Sequence, residues 1–229
     1  MPRKESGNIA NSLFFFLNKI LILFQNFFLE LIRSILFRRK ISRPRSHKDK
    51  ILVLKTGGLG DFLFGVPAIR LLKNQRPEAK LVLLTQIAFG GIHLRNLRDK
   101  GLTQVPWLEL VNDLFETSHL IGDLSLDSIS SLKKDLRSQN IKTVILMPGP
   151  GEPFMSILKK ILLLKFLGMG GCELYGTRQN YSLGFFRRFH ARWGLAVHKI
   201  YGPWRAVESF LNGKFDLNDS YLKLGGREF

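Results

Sequence analysis

The chain has 229 residues, 45% of them hydrophobic, and carries 35 Lys and Arg against 18 Asp and Glu, a formal charge of +17. That apolar fraction excludes a wholly disordered chain, and with no collagen-like or coiled-coil pattern one packed domain with an appendage is expected. The charge points to anionic partners without choosing among nucleic acid, phospholipid and phosphorylated substrates, and the lone cysteine, Cys172, excludes an intrachain disulfide.

Residues 9–37, IANSLFFFLNKILILFQNFFLELIRSILF, have the spacing of a long amphipathic helix. Asn11, Ser12, Asn18, Lys19, Gln25, Asn26, Glu30, Arg33 and Ser34 fall on about one half of the helical circumference. Leu, Ile and Phe fill the other, and Phe15, Ile22 and Leu29 intrude on the polar side. The expected role is a helix lying in a membrane interface, with Phe16, Ile20, Phe24, Phe27 and Phe28 on the buried face. A transmembrane span is the competing reading, opposed by Lys19 and Glu30 and by the lack of a long uninterrupted apolar run. A helix packed on the protein's own core is the third. Residues 38–50, RRKISRPRSHKDK, hold seven basic residues and one acidic one. Such a linker, Arg38, Arg39 and Lys40 included, attracts anionic headgroups at about 1 kcal/mol per basic residue, or is simply solvated.

From Lys50 the pattern changes. KILVLKT (50–56) reads as a buried strand, GGLGD (57–61) as a turn, FLFGVPAIRLLKNQRP (62–77) as a helix, and KLVLLT (80–85) as a second strand, together a βαβ unit. Residues 127–140 read as a helix with Asp127 or Ser128 as N-cap. KTVILMP (142–148) is a buried strand, GPGEP (149–153) a turn, and 154–168 a helix with Gly168 near its C-cap. Residues 172–177 read as a short strand and 205–212 as a helix. This alternation predicts an α/β fold with a Rossmann-like, mostly parallel sheet, which binds ligands at the carboxyl ends of its strands.

The turn after the first strand carries the most chemistry. Thr56 closes the strand, Gly57, Gly58 and Gly60 permit close approach of a ligand to the backbone, and Asp61 falls at the start of the helix. A carboxylate there suits a general base, and equally an ordinary helix cap. The turn is not a dinucleotide fingerprint, because a G-x-G-x-x-G beginning at Gly58 ends on Leu63. Nor is it a P-loop, because Val66 and Pro67 follow Gly65.

Residues 51–85, ILVLKTGGLGDFLFGVPAIRLLKNQRPEAKLVLLT, resemble the opening of glycosyltransferase family 9, the heptosyltransferase family: a strand, a small-residue turn ending in Gly-Asp, a helix with a Pro-Ala pair (Pro67, Ala68), then a Pro and the second strand. Weaker likeness continues over 140–177 and 198–211. The resemblance implies the N-terminal half of a two-domain GT-B architecture. An inverting transfer from a nucleotide sugar to a lipid-linked, lipopolysaccharide core-like saccharide would use Asp61 as base and no metal or other cofactor. The turn departs from the family in having Gly57-Gly58 where heptosyltransferases often carry serines.

The resulting expectation is an amphipathic helix over 1–37, a basic linker over 38–50, an acceptor-side domain over 51–214, and the start of an interdomain linker over 215–229, with the donor domain absent. A separate donor-domain chain is then an expected partner. The competing expectation is a non-catalytic scaffold or truncated pseudoenzyme that keeps the acceptor fold. Residues 174–207 contain no acid, and interleave Arg178, Arg187, Arg188, Arg192 and Arg205 with aromatics. Arg178, Arg187 and Arg188 are candidates for gripping acceptor phosphates. The plainer reading is a solvated face above buried aromatics, and nucleic acid is not favoured because no known binding motif is present. The five histidines are scattered without metal-ligand spacing. The expected location is peripheral, on the cytoplasmic face of an inner membrane.

Overall fold

Runs of Leu, Ile and Val with no polar interruption make strands that must be covered on both faces, and three such runs form the centre of this molecule. The structure is a computed structural model that describes residues 6–37, 49–57, 62–87, 113–121, 126–149, 152–178 and 201–216. The elements in chain order are α1 (Ser6–Leu36), β1 (Lys50–Gly57), α2 (Val66–Gln75), β2 (Lys80–Ile87), β3 (Thr117–Leu120), α3 (Leu126–Ser138), β4 (Thr143–Met147), α4 (Phe154–Phe166), a short 3-10 turn at Met169–Gly171, β5 (Glu173–Tyr175) and α5 (Tyr201–Leu211). The five strands form one parallel sheet of order β3-β2-β1-β4-β5. The Rossmann-like α/β class read from the sequence is the observed one.

Period-two alternation divides the sheet between two cores. Ile51, Val53, Leu81, Leu83, Ile145 and Met147 point to one face, where α2 and α5 cover them with Ile69, Leu72, Trp204, Val207 and Phe210. Leu52, Leu54, Val82, Leu84, Val144 and Leu146 point to the other, where α3 supplies Leu136, α4 supplies Ile157, Ile161 and Leu164, and α1 supplies Leu29. Register is set by Ile51 standing opposite both Leu81 and Thr143.

Several boundaries differ from the sequence reading for identifiable reasons. The helix expected at 62–77 is interrupted: Phe62 and Leu63 are helical, a turn at 64–65 follows in which the Gly65 N–H donates to the Phe62 carbonyl at 2.7 Å, and α2 runs from Val66. Pro67 sits in the first turn, where its missing N–H costs nothing. α3 starts at Leu126, so Asp127 lies inside the first turn as a dipole partner and is not the cap. Gly168 ends α4 with φ +89°, the left-handed conformation of a helix terminus. α5 begins at Tyr201, four residues before the expected start, because Gly202 and Pro203 are tolerated in a first turn. β3 was not foreseen: Thr-Ser-His-Leu is short and polar, and it pairs with the middle of β2 (Val82 opposite Thr117).

The sequence from β5 to α5 holds one steric limit. Gly176 has φ +81°, and a Cβ placed there would stand 1.9 Å from the Leu146 carbonyl oxygen. The obstacle is backbone of the central sheet, so rotamer change cannot relieve it. Gly176→Ala is expected to destabilise the fold by about 3 kcal/mol or more, read as a lower denaturation midpoint in urea. An unchanged midpoint would show that the β5 end shifts freely.

Candidate functional site

In a sheet of this order β2 and β3 are added on one side of β1 and β4 and β5 on the other, so the carboxyl ends of β1 and β4 form the switch point at which open parallel sheets bind ligands. β1 delivers Lys55, Thr56 and Gly57 to that edge, and the segment after β4 delivers Pro148, Gly149 and Glu152. Gly57, the last residue of β1, has φ +127°, a conformation that favours glycine. Thr56 and Gly57 are half-buried. Gly58, Gly60 and Asp61 lie outside the described residues.

Lys55 was not singled out from the sequence, yet it is completely buried. It stands in register with Thr85 on one side and Met147 on the other. Its stem passes beneath the start of α2, where a Cβ on Gly65 would meet Lys55 Cε at 3.2 Å. The available signal was a lysine closing an otherwise apolar strand.

The second polar group was also missed. The Gly149 N–H donates to Glu152 Oε2 at 2.8 Å, while Ser156 Oγ and the Lys160 ammonium both bond Glu152 Oε1. The Glu152 and Lys160 side chains are 10% and 11% exposed, so this is a nearly buried ion pair. It fixes the β4–α4 turn, and α4 then leaves the edge at an angle set by Pro153 in an extended conformation. Burial alone would raise the Glu152 pKa. The adjacent Lys160 charge and the hydrogen bonds from Lys160, Ser156 and Gly149 outweigh it and hold the carboxyl below its ordinary 4.5. The signal was a Glu followed by Ser four residues on and Lys eight residues on, all facing inward.

The remaining candidates are more dispersed. Arg178 is exposed just beyond β5, one strand outward from β4 on the same carboxyl edge. Arg187 and Arg188 lie outside the described residues, as do Arg38, Arg39 and Lys40. In the described part of the basic segment Trp204 is buried and Arg205 exposed. His119 on β3 sits 2.8 Å from the Gln139 amide. Burial lowers its pKa from 6.5, with Asp135 pulling the other way. Among the described residues no group of three or more His, Cys, Asp or Glu is placed to hold a metal ion. Cys172 is buried, donates to the Ile141 carbonyl at 3.1 Å, and has its pKa pushed up to about 11 by desolvation.

α1 presents an unusual division. Its inward side carries Leu29, fully buried, with Gln25, Asn26, Glu30, Ile32, Arg33 and Leu36 half-buried. Glu30 accepts from Thr177 Oγ1 at 2.6 Å and from Arg33 Nε at 2.9 Å, and Lys165 Nζ donates to the Leu36 carbonyl at 3.1 Å. Phe16, Ile20, Phe24, Phe27 and Phe28 are all exposed, Phe27 at 66%, together with Leu23, Leu31 and Ile35. The apolar stripe read from the sequence therefore faces away from the domain. Among the described residues no helix is long and apolar enough to cross a membrane.

Compared with protein-family models, with curated proteins and with solved structures, the chain has no match.

The Glu152–Lys160 pair yields a pH prediction with a definite sign. A carboxyl whose folded pKa is depressed contributes stability that is fully present above its unfolded pKa and is lost as pH falls through the folded one. Stability should therefore fall as pH drops below about 4.5. Glu152→Gln, which leaves Lys160 uncompensated, is expected to cost about 3 kcal/mol at neutral pH and to flatten that acid dependence. Chemical denaturation of both proteins across acidic and neutral pH measures each effect.

Proposed function

We propose that this chain is the acceptor-side, Rossmann-like half of a membrane-associated glycosyltransferase of the family 9, heptosyltransferase type. In this reading it promotes transfer of a sugar from a nucleotide sugar to a lipid-linked saccharide. The observation that carries it is the position of Gly57, with its positive φ, at the carboxyl end of β1 where the strand order switches to β4, the position at which the resembling family carries its Gly-Asp motif. Asp61 is the proposed base: it would take the proton of the acceptor hydroxyl as that oxygen attacks the anomeric carbon, the nucleoside diphosphate leaving from the opposite side with inversion. The glycine turn would let a polyhydroxylated acceptor approach the backbone, and Arg178 would face acceptor phosphates from the same edge. The nucleotide sugar is proposed to sit in a second domain facing this edge. Residues Arg187 and Arg188 remain proposed phosphate contacts.

The exposed stripe of α1 supports a peripheral attachment to an anionic membrane surface, with the basic sequence 38–50 adjoining it. Phe24→Asp with Phe27→Asp is expected to lower cosedimentation with anionic liposomes at least about tenfold, since two large apolar contacts are replaced by charges. Phe28 is left intact because its ring packs on Phe154 at 6.2 Å. Equal sedimentation of variant and parent would remove α1 from the membrane surface.

Transfer from a panel of nucleotide sugars to lipid-linked core saccharides in membranes tests the chemistry. Asp61→Ala is expected to reduce turnover by about 10²-fold or more, the usual contribution of a positioned base. Turnover independent of Asp61 would sink its assignment as base. Retained acceptor binding with no transfer from any donor would favour the scaffold reading over the enzyme.

A further inference from the structure

α4 covers the sheet with Ile157, Ile161 and Leu164, and turns Lys160 toward Glu152. A helix bound on one side needs apolar residues there and polar ones opposite. On the opposite side α4 instead carries Met155, Lys159, Leu162 and Phe166, a single stripe at helical spacing. Met155, Leu162 and Phe166 are each about half exposed, Phe166 at 55%. The fold itself has no use for this stripe.

Its surroundings indicate what would cover it. α1 and α4 lie side by side on the same face of the sheet and run in the same direction, Phe28 meeting Phe154 at one end and Lys165 reaching Leu36 at the other. The outer sides of the two helices therefore open to the same side. The charges on that side are cationic. Lys133 of α3 stands 5.3 Å over the Phe166 ring, Lys159 interrupts the stripe, and Lys165 is exposed between the two helices. Acids are few: α4 has none, the Glu30 carboxylate of α1 is held by Thr177 and Arg33, and the charge of Asp135 on α3 is felt at His119 of β3. Asp127, in the first turn of α3, and Asp135 further along it are the exposed acids of that helix. A domain facing the carboxyl edge would meet strand ends and not this helical layer. Apolar residues flanked by lysines, on a helix with no acid of its own, match an anionic lipid surface.

We propose that α4 is a second membrane-contacting element, whose Met155, Leu162 and Phe166 stripe, flanked by Lys133, Lys159 and Lys165, seats beside α1 in an anionic phospholipid interface. This rests on the reading of α1 as membrane-attached and adds the face on which the domain lies.

The test uses the full chain. Because Cys172 is buried and its thiol is held protonated, Met155→Cys supplies a thiol that an environment-sensitive fluorophore can label selectively. Vesicles of phosphatidylcholine mixed with phosphatidylglycerol are expected to shift its emission to the blue, and pure phosphatidylcholine vesicles are not. Leu162→Glu with Phe166→Glu, α1 unchanged, is expected to lower partitioning at least about tenfold while the denaturation midpoint is retained. Binding of the parent with no shift at position 155 and no loss in the double variant would overturn the role of α4 and leave α1 as the attachment. Failure of the parent to bind either vesicle would instead overturn the membrane reading beneath it. A parent dimer in gel filtration that the double variant dissolves would assign the stripe to a second copy and overturn the proposal.

Discussion

Glu30 accepts hydrogen bonds from Thr177 and Arg33, and the orientation of the longest helix follows from them. A free amphipathic helix meeting a domain ordinarily turns its apolar side inward. Here the inward side is mixed. Leu29, Ile32 and Leu36 enter the core, and Glu30 between them has a partner on each carboxylate oxygen. A partly buried carboxylate without such partners would carry a desolvation cost of several kcal/mol. Satisfied as it is, it lets the polar half of α1 rest on the sheet and leaves the Phe and Leu stripe outside.

That docking serves the sheet as well. Parallel strands need cover on both faces, and α1, α3 and α4 share one face while α2 and α5 share the other. The carboxyl edge between the layers then combines a fully buried lysine at the end of β1 with a clamped turn after β4. The Glu152 carboxylate ties the Gly149 N–H to the first turns of α4, so the segment after β4 is fixed by charge-assisted bonds within the fold.

Much of this arrangement was legible because burial writes itself into residue type. β1, β2 and β4 are apolar runs, and the helices between them keep a helical period, so class and strand polarity could be read directly. β3 could not: at a sheet margin half of its residues face solvent, and Thr117 and Ser118 look like loop. The sequence revealed that α1 has an apolar side, but not which side meets the domain, because that depends on a contact between Glu30 and Thr177, 147 residues apart. Lys55 escaped notice for a related reason, because its burial comes from β2 and β4 on either side. The Glu152–Lys160 pair is local, but spacing alone does not tell a buried pair from one on a solvated helix face.

The strands flanking the described sheet are brief. β3 has four residues and β5 three, against eight in each of β1 and β2. A short margin offers few unpaired backbone groups, and at β3 the neighbouring surface is polar, with Glu116 bridging Lys50 and Lys80. Such margins are poor templates for an incoming strand. The tendency of this protein to self-associate in plain buffer is thereby moved from its backbone to its side chains. It should be governed by the outer helices, and amphiphiles that coat those helices are the natural means of keeping it dispersed.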